Sequence, residues 1–156
     1  MKKGFALLIC IVLLFGCAAA DRAVALPESR YEIDIPDGMA YSEPQDGDSG
    51  ILAYVSDTLE MDYLSYPLED TAAPDSSESL QDRVKTLAAG GLEVELRQVN
   101  GIDMIVYRIT DETDGTPGIG YVLEDGHTVI EVIFWYATQE AADLSQKIME
   151  TIRIHE

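Results

Sequence analysis

Apolar and polar residues alternate over residues 31–35, with Tyr31, Ile33 and Ile35 on one side and Glu32 and Asp34 on the other. A period of two marks a strand with one buried face, and Pro36 stops it. Residues 51–56 and 59–65 read as two further strands, the second placing Leu59, Met61 and Tyr63 on one face. Residues 92–98 alternate as well, Leu92, Val94 and Leu96 against Glu93, Glu95 and Arg97. Asn100-Gly101 then predicts a tight hairpin into a strand over 102–110, because a type I′ turn needs positive φ at both positions. Asp125-Gly126 predicts another hairpin between strands at 119–124 and 128–137.

The period changes to that of a helix in two places. Asp75 and Glu78 form a capping box ahead of Leu80, Val84, Leu87 and Ala88, which share one helical face, and Gly90 closes that helix. Thr138 can cap a last helix whose stripe is Ala141, Leu144, Ile148, Met149 and Ile152. The strands at 102–110 and 128–137 are apolar on both sides and need cover on both faces. The strands at 31–35, 59–65 and 92–98 keep one mainly polar face and can border solvent. The expected architecture is α+β, an antiparallel sheet of about seven strands with amphipathic helices on both faces, an α/β/α sandwich.

Element order β-β-β-α-β-β-β-β-α, opened by residues 31–39 (YEIDIPDGM) and closed by a helix ending METIRI, resembles the PsbP-like fold. That fold is named for a subunit of photosystem II and is shared with nuclear Ran-binding proteins and small bacterial lipoproteins. The resemblance covers residues 31–154 and implies the fold alone. No functional residue of the family maps onto a motif here, so no metal-binding or photosystem role is implied.

The N-terminus follows a different pattern. Lys2 and Lys3 precede an apolar run from Gly4 to Ala20, 17 residues, short of the roughly 20 that span a bilayer. Leu14, Gly16 and Cys17 resemble the bacterial lipobox, which implies removal of residues 1–16 and lipidation of Cys17. An ordinary signal peptide and an uncleaved anchor are the alternatives, and each leaves the rest of the chain outside the membrane. Residues 17–29 then read as the lipidated cysteine and a tether, and 30–156 as a single domain. The expected location is the cell envelope, on the extracytoplasmic face of a bacterial membrane, with acyl chains such as palmitate as the anchor. With Cys10 removed and Cys17 lipidated, no thiol is left for a disulfide, a metal site or a nucleophile.

Charge removes one class of partner. Without Lys2 and Lys3, eight basic residues face 29 acidic ones, a net charge near −21. Nucleic-acid binding requires a basic footprint, so no nucleic-acid partner is expected. His127 and His155 have no Cys or His at ligand spacing, and no nucleophile elbow occurs. Glu131 lies between Val129 and Ile133 on one strand face, where burial would raise its pKa. Such a residue more often pairs or lies near a sheet end, so no catalytic residue is assigned. Asp46-Gly47-Asp48-Ser49-Gly50 has half the spacing of a calcium loop, without the third ligand or the distant Glu. Neither a metal nor a cofactor is expected.

Residues 36–50 form a 15-residue connection, long for a compact domain. With strands alternating up and down, that loop and 66–76 emerge at one sheet end with Met39, Tyr41 and Tyr66. These side chains either lid the core or present a recognition edge to a protein partner. The sequence thus points to a lipid-anchored, non-enzymatic interaction or assembly module. The alternative is a lipoprotein that binds a small ligand or a divalent cation.

Overall fold

A computed structural model describes residues 21–42, 52–67, 80–126 and 128–155. The elements in chain order are β1 (Arg22–Ala25), β2 (Tyr31–Ile35), β3 (Ala40–Ser42), β4 (Leu52–Val55), β5 (Leu59–Pro67) and α1 (Leu80–Ala89). They continue with β6 (Glu93–Val99), β7 (Ile102–Thr110), β8 (Pro117–Asp125), β9 (Thr128–Tyr136), α2 (Gln139–Glu150) and β10 (Arg153–Ile154). Seven strands form one antiparallel sheet in the order β3-β4-β5-β9-β8-β7-β6, and β1, β2 and β10 form a second sheet with β2 in the middle.

The hairpins fall where turn chemistry demands them. Asn100 (φ 51°) and Gly101 (φ 80°) both lie in the left-handed region and join β6 to β7 with Val99 opposite Ile102. Gly126 (φ 63°) does the same at the β8–β9 turn. The sheet centre is assembled by a long-range pairing, β5 against β9, which runs without interruption from Leu59–Tyr136 to Pro67–Thr128.

Both faces of the middle strands are covered, as their two-sided apolarity requires. On one face Met61, Tyr63, Met104, Tyr121, Leu123 and Phe134 pack with α2 and the small sheet, which contributes Ile33 and Ile35. On the other face Ile105, Tyr107, Val122 and Val129 pack with Leu80, Val84 and Leu87 of α1. Thr138 caps α2, its hydroxyl accepting from the Ala141 N–H at 3.2 Å.

Several expectations need correction. The strand at 31–35 does not join the large sheet; it lies on the α2 face between β1 and β10. Its place is taken by β3, which interrupts the expected 36–50 loop by pairing Tyr41 with Tyr54. The domain expected to begin at residue 30 already includes residues 22–26, because Val24 pairs with Ile33 and Leu26 is buried in the main core. The last helix ends at Glu150, and the segment after it becomes β10 because Arg153 and Ile154 complete the second edge of β2. Arg153 reaches both Glu32 (2.5 Å) and Asp34 (2.8 Å), fixing that end of the chain. The caps expected at Asp75 and Glu78, the acidic Asp46–Gly50 loop, Cys17 and His127 lie outside the described residues.

Candidate interaction edge

Met39, Tyr41 and Tyr66 do not come together. Met39 is buried in the α2-side core, turned inward by the Met39 N–H to Pro36 C=O bond at 2.9 Å. Tyr66 is half-buried on the opposite face, against α1. Tyr41 alone is exposed, at 48%, with its ring edge-on to Tyr54 at 5.8 Å. Along the strand direction Tyr66 lies five residues beyond Met61, which is opposite Tyr54, a separation of about 17 Å. The single recognition edge expected from these three residues is not formed.

Glu131 has a defined partner. The Tyr107 hydroxyl donates to Glu131 Oε1 at 2.5 Å across β8, over a glycine at position 120 that leaves the tyrosine ring room. Burial, and then the Glu131 charge, pushes the Tyr107 phenol well above its ordinary range. Tyr66 is raised by the same two causes in the same order, while Arg83 pulls it down. Arg83 in turn lies 3.5 Å from Glu124, so the polar groups under α1 form one connected set. His155 is likewise engaged, its Nδ1 3.0 Å from Glu32.

The β6 border of the large sheet offers a different surface. β6 pairs with β7 on one side only, so its outward N–H and C=O groups have no strand partner among the described residues. Its side chains alternate, Val94, Leu96 and Gln98 on the α1 face and Glu93, Glu95, Arg97 and Val99 on the α2 face. Val94 is covered by α1, but Leu96 is 47% exposed. The reason is the path of the helix. α1 adjoins β6 at Leu92, whose N–H donates to the Leu87 carbonyl, and crosses the sheet obliquely until Arg83 meets Glu124 of β8.

The edge is held rigidly at its turn. Asn100 Nδ2 donates to the Glu150 carbonyl (2.9 Å) and the Ile152 carbonyl (2.8 Å), satisfying acceptors that the end of α2 leaves open. On the α2 face a groove of about 280 Å³ adjoins the strand. Val106, Ile119 and Tyr121 line it, with Glu93, Glu95, Arg97 and Arg108 toward the edge and Gln146 toward α2. Arg97 pairs with Glu95, and Arg108 lies 3.6 Å from Glu93. The Tyr121 hydroxyl is buried with no hydrogen-bond partner among the described residues, and burial pushes its pKa up to about 12. Alternation in residues 92–98 announced this strand; its place at the border depends on strand order, which local periodicity does not encode.

Solved structures share the fold, two of them as follows. The solution structure of cyanobacterial PsbP from Synechocystis superposes with a TM-score of 0.58 at 10% identity, covering 88% of this chain and 94% of that one. A crystal structure from Bacteroides thetaiotaomicron gives a TM-score of 0.57 at 11% identity, covering 81% of this chain and 46% of that one. The chain therefore corresponds to about half the length of the Bacteroides protein. These likenesses establish a PsbP-like fold. No protein-family model matches the chain, and no curated protein matches it in sequence.

Proposed function

We propose that this protein is a non-enzymatic interaction module, held by a lipid on Cys17 at the extracytoplasmic face of a bacterial membrane. The observation that carries the reading is the β6 border: a strand whose outer edge has no strand partner among the described residues, with a half-exposed Leu96, made rigid by Asn100 and flanked by charged residues. Such an edge can extend the sheet of a partner through main-chain hydrogen bonds, with the side chains selecting which partner. The folded part begins close to the anchor. Five residue steps separate Cys17 from Arg22, the first residue of β1, and they reach at most about 18 Å. A domain on so short a leash works beside the bilayer.

Two measurements test this reading. The intact mass of the membrane-extracted protein should equal residues 17–156 plus a diacylglyceryl group, with or without an N-acyl chain. A lipid-free N-terminus downstream of Cys17 would refute the anchor. A photo-crosslinking residue at position 96 should capture a defined protein on intact cells, while one at Glu112, in the exposed β7–β8 turn, should not. Equal capture from both positions refutes the edge.

The groove favours a second reading, a site for a small anionic ligand. Arg97 and Arg108 stand on one side of it, where a ligand carboxylate would displace Glu95 and Glu93 from them, and the buried Tyr121 hydroxyl lines it. Small dicarboxylates should then raise the melting temperature saturably in the parent and not in the Arg97→Ala, Arg108→Ala variant. No rise at millimolar concentrations removes this reading.

A further inference from the structure

The outward strand β6 is complementary to itself. A second copy related by a twofold axis perpendicular to the sheet runs antiparallel to the first and keeps like faces together. Facing residues must then be separated by an even number, which leaves few registers. Centring on Leu96, the midpoint of Glu93–Val99, engages all seven residues of the strand. In that register Leu96 faces its own counterpart, and Glu95 faces Arg97 on both sides of the axis. Centring on Glu95 or on Arg97 opposes like charges directly, and centring on Val94 places Glu93 against Glu95.

We propose that β6 pairs with β6 of a second copy, antiparallel and centred on Leu96, joining two seven-stranded sheets into one. The proposal rests on reading the protein as an interaction module and names its partner. Exposed apolar and charged side chains alternate here in the arrangement such a pair requires, and each Arg97 gains a second carboxylate beside its own Glu95. The oblique path of α1 leaves the axis clear at Leu96. A ladder of seven residues is small beside the roughly 1,600 Å² of a standard interface, so the pair depends on concentration. Confinement to one membrane plane supplies that concentration.

Cysteine crosslinking of the full-length protein in its own membrane tests the pairing. In the proposed register the two Leu96 Cα atoms lie about 4.5–5.5 Å apart, inside the roughly 4.4–6.8 Å that a disulfide spans. Leu96→Cys should therefore give a covalent dimer under mild oxidation, above the background of the parent protein. Gln98→Cys lies on the same face but faces Val94, about 13 Å from its counterpart along the strand, and should not. Adding Arg97→Glu to Leu96→Cys should cut the dimer roughly tenfold by opposing like charges on both sides of the axis. Adding Glu95→Arg as well should restore it. Arg97→Gln replaces Arg97→Glu if the latter lowers the urea midpoint. A monomeric Leu96→Cys protein, equal dimer from Gln98→Cys, or indifference to the charge changes overturns the pairing. If Leu96→Cys stays monomeric while a photo-crosslinker at position 96 captures another envelope protein, self-pairing falls and the interaction reading stands. If neither forms, both fall.

Discussion

Replacing Gly120 by Ala tests how tightly the α1-side core is built. Gly120 of β8 faces Tyr107 of β7, and the tyrosine ring lies over the bare backbone. A Cβ added there would sit 2.1 Å from Tyr107 Cζ and 2.4 Å from its hydroxyl oxygen, far inside van der Waals contact. The ring is only 4% exposed and holds Glu131 through its hydroxyl, so it cannot move without leaving both the core and the carboxylate. Overpacking costs about 1–3 kcal/mol, and losing a hydrogen bond to a charged group costs about 1.5–3. Removing glycine from a strand returns about 0.5–1 kcal/mol. The expected net loss is about 2–4 kcal/mol, read as a lower urea midpoint at unchanged slope. Combining Gly120→Ala with Tyr107→Leu should cost less than the sum of the two single changes, because the collision is already gone. A Gly120→Ala protein within about 0.5 kcal/mol of the parent would refute the reasoning, since only a loosely packed ring could absorb the methyl group.

Three further outcomes are expected. Asn100→Ala should cost about 2–3 kcal/mol in urea unfolding, because it breaks two bonds to the end of α2 and places a β-carbon residue without Asn's tolerance at positive φ. Met39→Ala should cost about 2–5 kcal/mol while Tyr41→Ala stays within about 0.5, separating two residues that share one connecting segment. Burial holds Tyr121 protonated up to about 12, whereas the unfolded chain loses that proton near the ordinary value of 10. The native state thus binds more protons across pH 10–12, so urea midpoints should fall as pH rises through that window, and less steeply in Tyr121→Phe.

Legibility in the sequence followed the range of the interaction involved. The turn at Asn100-Gly101, the cap at Thr138 and the two-sided apolarity of β7 and β9 are local signals, and each led to the right element. β1, β3 and β10 carry little pattern of their own. Three residues at Ala40–Ser42 become a strand because Tyr54 and Ala53 are waiting beside them, and two at Arg153–Ile154 because Glu32 and Asp34 hold Arg153. Met39 stood out as an apolar residue in a polar stretch, but a single backbone turn at Pro36 decides that it points inward. Leu96 was legible as one member of an apolar row and illegible as the exposed one. Its exposure follows from the oblique α1 and from a sheet order set by β5 meeting β9, residues some 70 apart in the chain.

The small sheet has a consequence for timing. β2 is complete only when β1 on one side and β10 on the other have joined it, and β10 is made of residues 153 and 154 of a 156-residue chain. Contacts between segments this distant close slowly, because the loop entropy must be overcome before any contact rewards it. While its C-terminus is still missing, the chain lacks one flank of β2 and the Arg153 clamp on Glu32 and Asp34. Residues 153 and 154 are then the ones that lock β2 in place, and the small sheet sets only after they arrive.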